Sequence, residues 1–153
     1  MNPLRLDSQL CFSLYAASRA MTAAYAPLLE PLGLTYPQYL VVMVLWETDG
    51  SSVKEIGDRL QLDSGTLTPL IKKLEAQGLV TRARDDQDAR VVRVTLTRPG
   101  RALERKAQGI PHALVCKFGM ELPAVARLRK ELTALTQTLR EANAEGSSKE
   151  DSP

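Results

Sequence analysis

Histidine occurs once and cysteine twice in the 153 residues of this chain. Two thiols 105 positions apart exclude a disulfide framework and any cysteine-based zinc site. With one imidazole, a metal centre would have to be assembled almost wholly from carboxylates, so neither a metal nor a cofactor is expected. Long apolar runs are also missing. No stretch approaches the roughly 20 residues that a membrane helix needs. The start, MNPLRLDSQL, lacks the apolar run of a signal peptide. These features predict a cytoplasmic chain with no membrane partner. The length suits one domain, or one domain with arms, and excludes a large multidomain enzyme. At 44% hydrophobic and 25% charged, the chain can still bury an ordinary core.

The net charge of +2 conceals an uneven distribution. The last thirteen residues, EANAEGSSKEDSP, hold four acids and one lysine, so residues 1–140 carry 19 basic side chains against 14 acidic ones. Within residues 68–106 there are ten Lys/Arg and five Asp/Glu. A basic block in the middle of the chain suits a polyanionic partner.

Periodicity predicts a helix over residues 7–30, capped by Asp7 or Ser8. Leu10, Leu14, Met21, Leu28 and Leu29 form its apolar stripe, and Pro27 bends or ends it. Thr35 caps a second helix reaching Glu47, apolar nearly all round and therefore central, with Met43, Val44 and Trp46 in the core. Ser52 and Glu55 form a capping box for a short helix with Val53, Ile56 and Leu60 inward. After Gln61 and Leu62, Asp63 caps a helix whose Leu67, Leu70, Ile71 and Leu74 share one face, ended by Gly78. Pro69 is expected to make the first turn irregular or to delay the start to Thr66. Two short one-sided helices joined by so brief a turn read as a helix-turn-helix. Residues 79–84 and 91–97 alternate like strands around the loop DDQDAR, which reads as a wing. Thr97 caps a long helix kinked at Pro111, and residues 124–142 form a last amphipathic helix before a disordered end at 143–153. The fold class is mainly α with a small β-hairpin: a winged helix-turn-helix.

With its leucines inward, the second helix of that motif turns Ser64, Gly65, Thr66, Thr68, Pro69, Lys72 and Lys73 outward. Small and hydroxyl residues near the helix start can approach base edges, and the lysines beyond suit phosphates. Arg90, beside Asp85, Asp86 and Asp88, could enter a minor groove. Arg82, Arg84 and Arg93 on the hairpin are candidates for backbone contacts. The competing reading is a winged helix whose charges are merely solvated and which contacts proteins.

Cys11 falls in the first turns of the first helix, where the dipole favours a thiolate. Tyr15 lies at i+4 on the same face. Tyr25 is 14 residues on, close to the same face but about 21 Å along the axis, so it cannot bond to Cys11 within one chain. In an antiparallel pair of such helices, Tyr25 of one copy could approach Cys11 of the other. Cys116 sits among Ala113, Leu114, Val115 and Phe118, where a small buried hydrophobe is the alternative to a reactive thiol. His112 reads as structural or solvated.

The stretch LTYPQYLVVMVLWE, followed by SVKEIGDRLQLDSGTLTPLIKKLEAQGLVTRARDDQDARVVRVTLTRPG, resembles the MarR family of dimeric winged-helix repressors. The resemblance covers residues from about 7 to 142. LDSGTLTPL, the D-x-R at Asp88 and Arg90, and LCFSLYAASRA resemble the OhrR-type, organic-hydroperoxide-sensing branch of the two-cysteine kind. The resemblance implies a homodimer, with residues 1–34 and 101–142 as dimerisation regions and 35–100 reading operator DNA. It implies that Cys11 is the peroxide-reactive thiol, reached by Tyr25 and Tyr36 of the other subunit with Tyr15 nearby. It further implies that Cys116 is the resolving thiol of an intersubunit disulfide, later opened by a cellular thiol reductant. The implied protein is a repressor and not an enzyme. Two other readings stay open: a repressor released by a non-covalent aromatic ligand, with both cysteines passive, and a thiol peroxidase, which would need turnover.

Overall fold

The structure, a computed structural model, describes residues 2–147. Its elements are α1 (Leu10–Leu29), α2 (Tyr36–Glu47), α3 (Val53–Leu60), α4 (Ser64–Ala76), β1 (Val80–Arg84), β2 (Val92–Leu96), α5 (Arg98–Ala107), α6 (Ile110–Val115) and α7 (Leu122–Ser147). They fall into two compact units, Met1–Pro111 and His112–Pro153. Among the described residues no single helix is long and apolar enough to cross a membrane.

The first unit is built around α2. Thr35 and Gln38 close a capping box at its start, and Tyr39, Val41, Val42, Val44 and Leu45 are all buried along it. Met43 and Trp46 are half-buried against that core. Burying both flanks of α2 fits a helix that has no polar face. Onto it pack Leu29 of α1, Ile56 of α3, Leu67, Ile71 and Leu74 of α4, and Val80, Val94 and Leu96 of the hairpin. Gln38, the buried amide of α2, donates to Gln77 just past α4, and Gln77 donates to the Gly33 carbonyl before α2. These two bonds set the C-terminal end of α4 relative to α2.

The helix-turn-helix forms as its local signals require. Ser52 and Glu55 make the reciprocal cap of α3, and Asp63 accepts the Thr66 N–H at the start of α4. Gln61 takes the left-handed backbone between them, at φ 57°. Contrary to the expectation from Pro69, α4 starts at Ser64 and runs to Ala76. A proline at the sixth helical position deprives only the Gly65 carbonyl of its donor, and Gly65 is exposed to water there. Gly78, at φ 72°, then turns the chain into β1 as expected.

β1 and β2 pair antiparallel, Val80 opposite Leu96 and Arg84 opposite Val92. The Val94 N–H donates to the Ser51 carbonyl, joining the hairpin to the turn before α3. Thr97 caps α5 and donates its hydroxyl to the Gly78 carbonyl. At Gly100 the fold is closed tightly: a Cβ there would lie 2.1 Å from the Leu79 carbonyl oxygen.

Three boundaries differ from expectation: the start of α1, the break before Pro111 and the end of α7. Asp7 and Ser8 lie in a separate 3-10 turn, Leu6–Ser8, and α1 starts at Leu10 without a side-chain cap. The Asp7 carboxylate is held by the Arg5 guanidinium at 2.7 Å and does not cap α1. Pro27 lies inside α1, which continues to Leu29. The kink expected at Pro111 falls earlier, at Gln108 and Gly109, and Pro111 becomes the second residue of α6, where no backbone donor is needed. The last helix runs five residues past its expected end, to Ser147, carried by the strong helix formers Glu141, Ala142, Ala144 and Glu145. The remainder of the tail expected to be disordered, 148–153, lies outside the described residues.

Apolar side chains remain exposed on α1 (Leu10, Phe12, Met21) and, in the second unit, on α7 (Leu122, Leu128, Leu132, Leu139). Of the stripe expected on α1, Leu10 and Met21 are uncovered within the chain, Leu14 and Leu28 are half-buried, and Leu29 is buried.

Candidate nucleic-acid interface and thiol sites

Ser64, Gly65, Thr66, Pro69, Lys72 and Lys73 are all exposed on α4, while Thr68 is half-buried. Neither lysine has a carboxylate within ion-pair distance among the described residues. The Thr66 hydroxyl is engaged with Asp63 at 3.2 Å, so the cap and the outward face share that side chain. The hydrogen bonds from Thr66 hold the Asp63 carboxyl below its usual range. Between α3, α4 and the wing lies an open groove of about 660 Å³ whose polar lining includes Lys54, Ser64, Thr68, Arg82 and Arg90.

The arginines of the hairpin are not equivalent. Arg90 stands at the tip with its side chain 90% exposed, and Asp88 grips its guanidinium with both carboxylate oxygens at 3.1 Å. That grip orients a cation that would otherwise be loose, and the Arg90 guanidinium holds the Asp88 carboxyl low. Arg84 donates to the Ala89 carbonyl and closes the loop. Arg82 reaches back to Glu75 of α4 at 2.9 Å, tying strand to helix. Arg93 bonds Asp85 at 2.6 Å and the Gly50 carbonyl at 3.2 Å, with Glu55 at 3.7 Å. It is a tether between wing and α3, and Arg93 holds the Asp85 carboxyl low.

Sequence reasoning passed over the carboxylates that build this frame. Asp49 accepts the Leu96 N–H at 2.8 Å and the Gly50 N–H, and pairs with Arg101 at 2.6 Å. Burial works against its charge, but the Leu96 N–H and Arg101 prevail and hold its carboxyl below the usual range. A bond spanning 47 residues leaves no periodic trace.

Cys11 is exposed in the first turn of α1, and Tyr15, also exposed, carries the Arg19 guanidinium 5.6 Å above its ring. Tyr25 and Tyr36 come together as a stacked pair with centroids 4.5 Å apart, and Tyr39 lies 5.9 Å from Tyr25. Burial, with the neighbouring Tyr36 and Tyr39, pushes the Tyr25 hydroxyl up to about 12. Burial also raises Tyr36. Both phenols therefore stay protonated, as donors, throughout the neutral range. Cys11 stands about 21 Å up the same helix from Tyr25.

In the second unit Cys116 is exposed, not the small buried hydrophobe that was its alternative. Its Sγ lies 3.8 Å from Nδ1 of His112, one turn earlier.

A helix-turn-helix with a capped, basic second helix, flanked by a two-stranded wing with a fixed arginine at its tip, defines a winged-helix DNA-binding protein. Residues 23–108 match the family described as Transcriptional regulator SarA/Rot. The chain is 45% identical to the organic hydroperoxide resistance transcriptional regulator of Bacillus subtilis, over 92% of this chain and 95% of that one. It is 53% identical to the HTH-type transcriptional regulator TtmR of Methylorubrum extorquens, over 90% of this chain and 71% of that one. Among solved structures, reduced AbfR bound to DNA superposes with a TM-score of 0.79 at 35% identity, covering 93% of this chain and 97% of that one. Its disulfide-formed state gives 0.58 at 35% identity over 91% and 92%. AbfR is a protein of Staphylococcus epidermidis. The chain belongs to the MarR family of winged-helix transcriptional regulators, in its SarA/Rot-type group.

Proposed function

We propose that this regulator is a homodimeric repressor that leaves its operator when an organic hydroperoxide oxidises Cys11. Residues 1–34 and 101–142 form the dimer, and 35–100 read DNA in the cytoplasm. The uncovered apolar residues of α1 and α7 support that division. In the reduced dimer, α4 of each subunit enters a major groove of a palindrome, with Ser64, Gly65, Thr66, Thr68 and Pro69 toward the bases. Lys72 and Lys73 meet phosphates, Arg90 and Asp88 form the wing contact, and Arg82 and Arg84 lie alongside.

The observation that carries the redox reading is the placement of the two phenols. Tyr25 and Tyr36 form one stacked, half-buried donor pair with no access to Cys11 of their own chain. An antiparallel second copy of α1 would bring its Cys11 to them, with Tyr15 beside it. Hydrogen bonds from phenols that stay protonated would stabilise a thiolate. That thiolate attacks the hydroperoxide and releases an alcohol, and the sulfur becomes a sulfenic acid. The partner subunit's Cys116 then condenses with it to a disulfide, which a cellular thiol reductant reopens. The relatives support a thiol switch in kind: one is a hydroperoxide resistance regulator, and AbfR has reduced and disulfide-formed states.

The test is non-reducing electrophoresis after a stoichiometric dose of organic hydroperoxide. A dimer-sized band that disappears in Cys116→Ser supports the switch, and a monomer band throughout refutes it. In the alternative reading, release by a non-covalent aromatic ligand, both cysteines are passive. In that case Cys11→Ser would still be released by its ligand.

A further inference from the structure

We infer that His112 is the proton acceptor that readies Cys116 for attack on the sulfenic acid of the other subunit. This rests on the thiol-switch reading above and assigns a role to the single histidine, which that reading leaves unused.

The geometry is local and set by one helical turn. The Cys116 N–H donates to the His112 carbonyl at 3.1 Å, so the side chains at i and i+4 lie one above the other. Sγ and Nδ1 are 3.8 Å apart, within hydrogen-bond range for sulfur. In the tautomer with its proton on Nε2, the Nδ1 lone pair is the acceptor and the S–H the donor. Within the single chain both residues are exposed. The charged neighbours along the chain are Lys117, directly after the thiol, and Glu121, in the connection to α7.

The chemistry gives the imidazole something to do. A thiol attacks only as its thiolate. Nδ1 takes the proton from Cys116, and the sulfur lone pair forms the S–S bond to Cys11. The S–O bond of the sulfenic acid breaks with its electron pair on oxygen, and the imidazolium returns the proton to that oxygen as water leaves. Over the cycle two thiols lose two electrons and two protons, and the hydroperoxide is reduced to alcohol and water.

The test uses the full-length reduced protein, mixed with one equivalent of an organic hydroperoxide per thiol pair at pH values from 5.5 to 9. Samples are quenched over time with a thiol-alkylating reagent. Sulfenic acid is captured with a dimedone probe, and the disulfide is read on non-reducing gels from the same samples. The expected result is that His112→Gln slows disulfide closure by about tenfold or more relative to sulfenic acid formation. It also loses the limb of the rate profile that lies in the imidazole range, and added free imidazole restores closure in His112→Ala. Unchanged closure with an unchanged profile overturns the assignment. So does slower closure that keeps the limb and ignores added imidazole. If wild type forms no disulfide at all, the failure lies in the thiol switch itself.

Discussion

Lys72 and Lys73 are unpaired among the described residues, whereas the nearby Arg82 is committed to Glu75 at 2.9 Å. This difference has a measurable consequence in salt. Each phosphate neutralised on duplex DNA contributes about −0.9 to the slope of log affinity against log salt. The Lys72→Ala, Lys73→Ala variant removes two cations per subunit and so four per dimer. If all four meet phosphates, the slope flattens by about 3.6, and the affinity lost between 50 and 200 mM salt becomes about 150-fold smaller. Arg82→Ala should flatten the slope by much less, because its charge is already partly answered by a carboxylate on the same scaffold. Fluorescence anisotropy on a labelled operator across that salt range gives both slopes, with circular dichroism of each variant confirming the fold. A double variant whose slope changes by less than about 1, or an Arg82→Ala slope change as large as that of the double variant, would refute this assignment of phosphate contacts.

Other consequences follow from individual contacts. Gly100→Ala places a methyl 2.1 Å from the Leu79 carbonyl oxygen, which already accepts the Thr97 N–H, so backbone must move. The expected cost is about 1–3 kcal/mol and a melting temperature lower by roughly 3–10 °C. Tyr25 has a folded value of about 12 against an ordinary value near 10, so the folded state keeps its proton longer than the unfolded one. Its contribution to stability is whole below about pH 10 and is lost as pH rises through 12, and Tyr25→Phe should flatten that alkaline decline in thermal melts. Asp49 is shifted the other way. Its contribution is present above the ordinary carboxylate range and fades as pH falls through its lower folded value, so Asp49→Asn should remove part of the acid-side decline in denaturant midpoints.

What could be read from residue order was what is decided locally. The caps Thr35 and Asp63 and the capping box of Ser52 with Glu55 join groups three residues apart, and each formed as expected; Gln38, which completes a box at Thr35, was not foreseen. The inward faces of α3 and α4 followed from spacing, because a one-sided helix has one way to bury itself. Local competition explains the errors: Asp7 found Arg5 before it could cap α1, and Gly109 broke the helix ahead of Pro111. The wing arginines were recognised as basic but not as partnered. Asp49 with Leu96 and Arg101, and Glu75 with Arg82, become neighbours only once the chain has folded. Cys11 with Tyr25 is a different case: helical rise alone puts them about 21 Å apart within one chain, and α1 runs unbroken between them.

The most direct measurement is operator release by an alkyl hydroperoxide, followed by anisotropy with reduced wild type and Cys11→Ser side by side. Wild type should dissociate and rebind after a dithiol is added, while the serine variant should stay bound throughout. Release of Cys11→Ser at the wild-type dose would contradict the thiol as trigger.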